Sequence, residues 1–170
     1  VPVSVDTSKP VVMRAALAAG AAIVNDVTAL GAGGAMEAVA AGGCGVVLLH
    51  MLGTPRTMQH DPRYGDVVAD VAAFLRTRLK AAVAAGIAAE RIALDPGFGF
   101  GKTAEHNIEL LSRLGELSLL GAPLLVGLSR KSTLGTITGR PVDQRLHASV
   151  AAALLAAERG ARIVRVHDVS

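Results

Sequence analysis

Aromatic residues are scarce in this sequence of 170 residues. They make up 2% of it, as three Phe, one Tyr and no Trp. Proteins that bind single-stranded nucleic acid stack the bases on aromatic side chains. The 17 Lys and Arg residues leave a net charge of only +3 and form no dense basic run. The composition therefore gives no support to nucleic-acid binding, and the small positive excess indicates attraction for small anionic ligands.

Cysteine is also scarce, and long hydrophobic runs are missing. Cys44 is the only cysteine, so it cannot form an intrachain disulfide, and no His or Cys stands near it at the spacing of a zinc site. Glycine or a charged residue interrupts each apolar stretch well short of the about 18 residues that a membrane span needs. We therefore expect a protein of the reducing cytoplasm, with no membrane anchor or export signal and with Cys44 packed in the core.

Small aliphatic residues dominate what is present. Hydrophobic residues make up 51% of the chain and charged residues 18%, which is typical of a globular protein with a large buried core. A single domain commonly spans roughly 100–200 residues, and no shift in composition divides the chain. We predict one domain over residues 1–170.

A loose repeat organises the sequence: an Ala-rich helical stretch ends at glycine, a short apolar run follows, and a polar residue closes that run. Glycine after a helix fits a left-handed cap, and short β-branched runs predict buried parallel strands. The pattern predicts helices over 11–19, 36–41, 67–85 and 146–159, and strands over 1–5, 21–24, 46–49, 92–94, 124–128 and 163–166. Ser8 with Pro10 should open the first helix, and Asp143 the last. Alternating strands and helices predict a parallel α/β sheet, either a barrel or an open sheet.

Polar residues lie at or just after the carboxyl end of each predicted strand, where ligands bind in parallel α/β folds. They are Asp6, Asn25, His50, Asp95, Ser129, Arg130, Lys131, Arg165 and His167. Carboxylates and an amide accept hydrogen bonds from a planar group with adjacent N–H donors, and an aminopyrimidinone edge is such a group. The cationic residues among them, Arg130, Lys131, Arg165 and His167, suit a phosphate or pyrophosphate.

Several nearby residues have simpler explanations. Lys102 and Thr103 follow a glycine-rich loop that lacks phosphate-loop spacing, and the glycines of 31–34 lack the full dinucleotide fingerprint, so we predict turns at both places. We expect surface or capping roles for His60, His106 and His147. Asp26 and Asp168 stand next to site residues but should point the opposite way and form structural bonds.

Six segments together carry a specific resemblance. The segments are Asp6-Thr7-Ser8-Lys9-Pro10, Asn25-Asp26, Leu49-His50-Met51, Asp95-Pro96-Gly97-Phe98-Gly99-Phe100-Gly101-Lys102, Gly127-Leu128-Ser129-Arg130-Lys131-Ser132 and Arg165-Val166-His167-Asp168-Val169. In this order, they resemble the successive strand-end motifs of dihydropteroate synthases over essentially the whole chain.

The resemblance implies a TIM (β/α)8 barrel, of which about six β/α units, strands 3 to 8, are present. A full barrel takes about 250 residues, so the first two strands and the last helix are expected to be missing. The implied reaction condenses 6-hydroxymethyl-7,8-dihydropterin diphosphate with 4-aminobenzoate, which gives 7,8-dihydropteroate and pyrophosphate. It further implies Mg²⁺, held mainly by the missing N-terminal part, and a homodimer for the full-length protein.

Site residues follow from the same resemblance, residue by residue. Lys131, Arg165 and His167 are the expected catalytic residues, and no metal ligand is expected in this chain. The expected substrate-binding residues are Asp6, Asn25, Asp95, Phe100, Gly127, Lys131, Ser132, Arg165 and His167. The types suit the chemistry, because a weak aromatic amine needs a well-stabilised leaving group and no nucleophilic Ser or Cys.

Two other functions stay open at this point. A corrinoid-dependent methyltetrahydrofolate methyltransferase would hold a pterin with Asp and Asn but would not need the cationic residues for a leaving diphosphate. A non-catalytic pterin-binding paralogue would bind pterin without condensation. We also expect residues 1–170 alone to fold poorly, or to bind pterin without turnover, because an open six-stranded sheet leaves two unpaired edges.

Overall fold

The computed structural model describes residues 1–169, which form a six-stranded parallel sheet. The strands are β1 (Ser4–Asp6), β2 (Ile23–Asp26), β3 (Gly45–Leu49), β4 (Ile92–Asp95), β5 (Leu124–Val126) and β6 (Ala161–Val164). Strands that neighbour each other in the sheet are consecutive in sequence, and each pair is parallel. Open doubly wound sheets reverse their strand order at a switch point. The sequential order is that of a barrel, so the predicted β/α units are confirmed.

Helices connect the strands. They are α1 (Pro10–Ala18), α2 (Ala35–Gly42), α3 (Val67–Ala84), α4 (Ala104–Ser112), α5 (Leu114–Ser118), α6 (Ser132–Thr138) and α7 (Leu146–Glu158), with 3-10 turns at Ala89–Arg91 and Val142–Gln144. Each bound of the four predicted helices lies within one residue of the observed one. Helices α4, α5 and α6 were not predicted, and glycine interrupts the pattern in the last two. No helix within residues 1–169 is both long and apolar enough to cross a bilayer.

Pro10 opens the first helix as predicted, but the predicted capping residues Ser8 and Asp143 do not stand at the helix N-caps. Helix α1 has Lys9 at its N-cap position and Pro10 as its first residue, without a side-chain cap from Ser8. Asp143 lies in a 3-10 turn, and Arg145 stands at the N-cap of α7. Both errors arise because a capping residue type marks the neighbourhood of a helix end but not the residue itself.

Alternation along the strands separates two packing environments. Val46, Leu48 and Leu94 belong to the large core shared with the helices. Their neighbours Val47 and Ala93 belong to a small cluster on the opposite, inner face. Because successive strand residues point to opposite faces, the residue at which each strand ends decides whether its side chain faces the helices or the inner face.

Candidate functional site

A continuous set of polar side chains lies across the inner face at the carboxyl ends of the strands. Asn25 Nδ2 donates to Asp6 Oδ2 at 2.8 Å. Arg165 Nη1 donates to Asn25 Oδ1 at 3.3 Å, and Arg165 Nη2 donates to Asp95 Oδ2 at 2.8 Å. The four residues come from β1, β2, β4 and the end of β6. The sheet therefore curves enough to bring residues 25 and 165 together, as a barrel wall does.

Asp95 is the most buried acid of this set, at 1% exposure. Its Oδ1 accepts a hydrogen bond from the backbone N–H of Gly97 at 2.8 Å. Burial raises the pKa of the Asp95 carboxyl, and the nearby Arg165 guanidinium opposes that rise. A buried carboxylate held by a backbone N–H and a cation is oriented in advance, with one oxygen directed at a donor on the inner face.

Gly127 permits the approach of Arg165. A Cβ at this glycine would lie 2.9 Å from Arg165 Nη2 and 3.0 Å from Nε, so a larger residue would displace the guanidinium. The guanidinium is a planar array of adjacent N–H donors. Asp95 and Asn25 accept from that array, which is the arrangement predicted for an aminopyrimidinone edge.

Lys131 stands at the N-cap of α6 and packs beside this set, against the loop between β4 and α4. Its Nζ donates to the carbonyl oxygen of Phe98 at 2.9 Å and lies 4.4 Å from the centre of the Phe100 ring. Burial lowers the pKa of the Lys131 ammonium, while Asp95 opposes that fall. Ser132 is exposed as the first residue of α6. Lys131 and Phe100 thus form one wall next to Asp95.

The cationic side of the site differs from the expectation at one residue. Arg130 forms an ion pair with Asp168, which raises the pKa of Arg130, so its guanidinium is committed to a structural bond and not to a shared anion site. The structural role predicted for Asp168 is confirmed. His167 is exposed, and its backbone N–H donates to Ser129 Oγ at 3.2 Å.

Comparison with known proteins identifies the family. A family described as pterin binding enzyme matches residues 1–167. The chain is 53% identical to the dihydropteroate synthase of Neisseria meningitidis serogroup B, over 99% of this chain and 61% of that protein. A structure of dihydropteroate synthase from Stenotrophomonas maltophilia is 57% identical with a TM-score of 0.97, over 99% of this chain and 64% of that chain.

The dihydropteroate synthase of Xanthomonas albilineans is 54% identical, with a TM-score of 0.93, in structures with 7,8-dihydropteroate and with 4-aminobenzoic acid. Each match covers 99% of this chain. It covers 62% of the chain in the 7,8-dihydropteroate structure and 60% of the chain in the 4-aminobenzoic acid structure.

The chain belongs to the pterin-binding enzyme family. It spans about 61% of the length of the Neisseria relative that it matches. Strand order, site geometry and family therefore agree with one another.

Two polar residues at strand ends lie on the helix side of the sheet. His50 was expected in the ring of strand-end residues, but its side chain is buried at 5% exposure and packs edge-on against Phe74 of α3, with ring centres 5.0 Å apart. Asp26 accepts hydrogen bonds from Thr28 and from the backbone N–H of Leu30. The structural role predicted for Asp26 is confirmed, and His50 belongs with it outside the site.

The remaining residues with predicted structural roles behave as expected. Cys44 is buried in the core. His60 and His147 are exposed. His106 takes part in a capping box, in which its Nδ1 accepts from the backbone N–H of Thr103 at 3.2 Å.

Sequence reasoning missed the residues that hold the 97–101 loop. Lys102 is buried at 3% exposure, although the sequence suggested only a turn. Asn107 Oδ1 accepts from the backbone N–H of Gly99 at 2.9 Å, and its Nδ2 donates to Thr133 Oγ1 of α6 at 3.0 Å. The available signal was the position of Lys102 directly after three glycines at alternate positions, since a loop with so many free carbonyls needs donors.

Proposed function

We propose that the full-length polypeptide carrying these residues is a dihydropteroate synthase. It would condense 6-hydroxymethyl-7,8-dihydropterin diphosphate with 4-aminobenzoate to give 7,8-dihydropteroate and pyrophosphate. The observation that carries the proposal is the inner-face set of Asp6, Asn25, Asp95 and Arg165, in which a buried carboxylate and an amide oxygen already accept from a planar group of N–H donors. The names and ligands of the similar enzymes support the same reaction.

We assign the pterin ring to Asp95 and Asn25. The aminopyrimidinone edge would donate to the two oxygens that now accept from Arg165. Replacing Arg165 at those oxygens would release its guanidinium toward the diphosphate, together with His167. Gly127 forms the floor under the ring, and Phe100 and Lys131 form a wall.

In the proposed reaction, one bond to the pterin methylene carbon breaks and another forms. The bond from that carbon to the diphosphate oxygen breaks, and its electrons leave with pyrophosphate. The amine nitrogen of 4-aminobenzoate supplies the pair for the new C–N bond and then loses a proton to solvent. Arg165, His167 and Lys131 stabilise the charge that develops on the leaving group, and Lys131 with Ser132 borders the aminobenzoate.

Mg²⁺ is proposed from the resemblance alone. No group of three His, Cys, Asp or Glu residues able to hold a metal ion occurs among residues 1–169. Those residues do not fit a resident metal site, and we derive no step through Mg²⁺.

We also propose a cytoplasmic protein that is a homodimer at full length, with residues 1–170 in one domain. An exposed apolar stripe on α7 supports self-association: Leu146, Val150 and Leu154 are 46%, 60% and 61% exposed.

Calorimetric titration of the full-length polypeptide with pterin-6-carboxylate tests the pterin site. Asp95→Asn keeps an oxygen for the Gly97 N–H but presents an amide donor where Oδ2 accepted. The loss of hydrogen bonds to a charged group should weaken binding by about 10- to 150-fold. Glu158→Gln is the matched control, because it makes the same carboxylate-to-amide change at an exposed residue at the end of α7.

Pyrophosphate release in the presence of both substrates then tests the reaction. Release that depends on 4-aminobenzoate supports the synthase. Pterin binding without release indicates the non-catalytic paralogue instead, and equal affinity in Asp95→Asn and wild type would show that the site is assigned to the wrong residues.

A further inference from the structure

The 97–101 loop has an unusual backbone environment. Each of its five consecutive carbonyl oxygens accepts a hydrogen bond from a side chain outside these five residues. The donors are Lys102 Nζ to Gly97 at 3.0 Å and to Phe100 at 3.2 Å, Lys131 Nζ to Phe98 at 2.9 Å, Gln59 Nε2 to Gly99 at 2.6 Å, and Tyr64 Oη to Gly101 at 2.7 Å. Loops normally leave many carbonyls to water. This one is fixed along its whole length.

Lys102 is the central donor. Besides the two loop carbonyls, its Nζ contacts His50 Nδ1 at 2.9 Å. An ammonium group has three N–H donors, and here all three have acceptors when His50 carries its proton on Nε2. Burying an ammonium group costs free energy, and burial of Lys102, which is 3% exposed, lowers its pKa to about 7, while the Asp95 charge opposes that fall. The three acceptors stabilise the protonated form.

The loop also packs directly against the backbone of His50, whose side chain supplies the third acceptor for Lys102. Gly97 has a φ of +70°, and a Cβ there would lie 1.9 Å from the carbonyl oxygen of His50. Backbone contact and the Lys102 side chain therefore tie the start of the loop to the end of β3 at the same point.

From this fixed loop, two contacts reach Lys131. The Phe98 carbonyl accepts from Lys131 Nζ, and the Phe100 ring lies under the same ammonium group. A Cβ at Gly99 would lie 3.3 Å from Lys131 Cδ, so the side chain also packs along the loop backbone. The position of the Lys131 ammonium thus depends on the conformation of the loop.

We propose that Lys102 is a positioning residue, which sets the Lys131 ammonium for the condensation by clamping the 97–101 loop against His50. The inference rests on the proposed function. Lys102 itself would not contact phosphate, because its three donors are already used inside the protein. The loop presents carbonyl oxygens to Lys102 and Lys131, whereas a phosphate-binding loop presents its N–H groups to the ligand.

A double-mutant cycle in the full-length polypeptide tests this proposal. The variants are Lys102→Met, Lys131→Met and the pair, with Lys80→Met as the matched control at an exposed residue of α3. The readout is kcat/KM for 4-aminobenzoate. Lys102→Met should lower kcat/KM about 10-fold when Lys131 is present, and less than about 2-fold when Lys131 is already replaced by Met. The two effects should not add, because Lys102 acts through Lys131. Lys80→Met should match wild type.

Pterin-6-carboxylate affinity and thermal denaturation accompany the cycle. Affinity should fall less than kcat/KM in Lys102→Met, because the loop reaches the ring site only through the Gly97 N–H that binds Asp95, and Asn25 makes no hydrogen bond to the loop. Equal losses in both backgrounds would mean that Lys102 serves the fold alone, and the proposal would be wrong. Should Lys102→Met not fold, the cycle with Lys102→Gln, which keeps a donor for the loop carbonyls, decides by the same criterion. A wild-type enzyme that binds pterin but shows no condensation overturns the proposed function and this inference with it, whereas additivity in an active enzyme overturns only the inference.

Discussion

Acidification from pH 7 to pH 5 should destabilise the protein through His50 by about 2 kcal/mol. Burial, with a further contribution from the Lys102 charge, lowers the pKa of His50 from 6.5 to about 3. Below pH 6.5 the unfolded chain binds a proton at this residue and the folded chain does not, so the free energy of unfolding falls as the pH falls. At pH 5 the unfolded imidazole is almost fully protonated and the folded one almost neutral, and integration of this difference gives about 2 kcal/mol between pH 7 and pH 5.

The structure explains why the folded protein resists protonation. The imidazole packs against Phe74 on the helix side of the sheet, and its Nδ1 already accepts from Lys102. A proton on Nδ1 would place two donors face to face and a second positive charge in a buried site. The cost therefore has both a desolvation part and a charge part.

Urea denaturation at pH 7 and pH 5 measures the effect in the full-length polypeptide. His50→Asn offers Lys102 an amide oxygen in place of Nδ1 and does not titrate, so the wild type should lose about 2 kcal/mol more than this variant between the two pH values. His147→Asn, at an exposed residue of α7, should behave as wild type. An equal loss in wild type and His50→Asn would refute the argument, because it would show that other groups carry the acid sensitivity.

Two further substitutions separate residues of the fold from residues of the site. Gly97→Ala should lower the free energy of unfolding, measured by urea denaturation, by at least about 3 kcal/mol. The new Cβ would lie 1.9 Å from the His50 carbonyl oxygen, and a φ of +70° is strained for alanine. Gly33→Ala is the control and should be nearly neutral, because no atom lies within 4 Å of a Cβ there. Asp26→Ala should cost about 2–4 kcal/mol, because it leaves the buried N–H of Leu30 and the half-buried N–H of Thr28 without an acceptor. Pterin-6-carboxylate affinity should stay at the wild-type level in folded Asp26→Ala; a large loss would place Asp26 in the site.

The order of elements and the strand-end residues could be predicted from the sequence because both depend on local patterns. Helices that end at glycine and short aliphatic runs repeat along the chain, and parallel connections bring each run to the same edge. The residues at which the strands end were predicted less accurately. The run at 124–128 extends beyond β5, which ends at Val126, because a sequence pattern does not show where hydrogen bonding to the neighbouring strand stops.

The contacts that hold the 97–101 loop could not be predicted in this way. Gln59 and Tyr64 reach it from 40 and 37 residues away, and His50 reaches Lys102 from 52 residues away. Nothing in the residues around Gln59 or Tyr64 distinguishes them from ordinary loop residues. Their role exists only because the loop after β3 folds over the loop after β4.

A difference of one residue decides whether a polar side chain serves the fold or the site. Asn25 and Asp26 are adjacent at the end of β2, yet Asn25 contacts Arg165 on the inner face while Asp26 bonds the backbone of its own loop. In the same way Asp95 ends β4 on the inner face, whereas His50 extends one residue beyond β3 and turns to the helices. Residue type alone would select all four for the pocket. The two-residue period of the strand, counted from the buried aliphatic residues of each face, selects Asn25 and Asp95 and rejects Asp26 and His50.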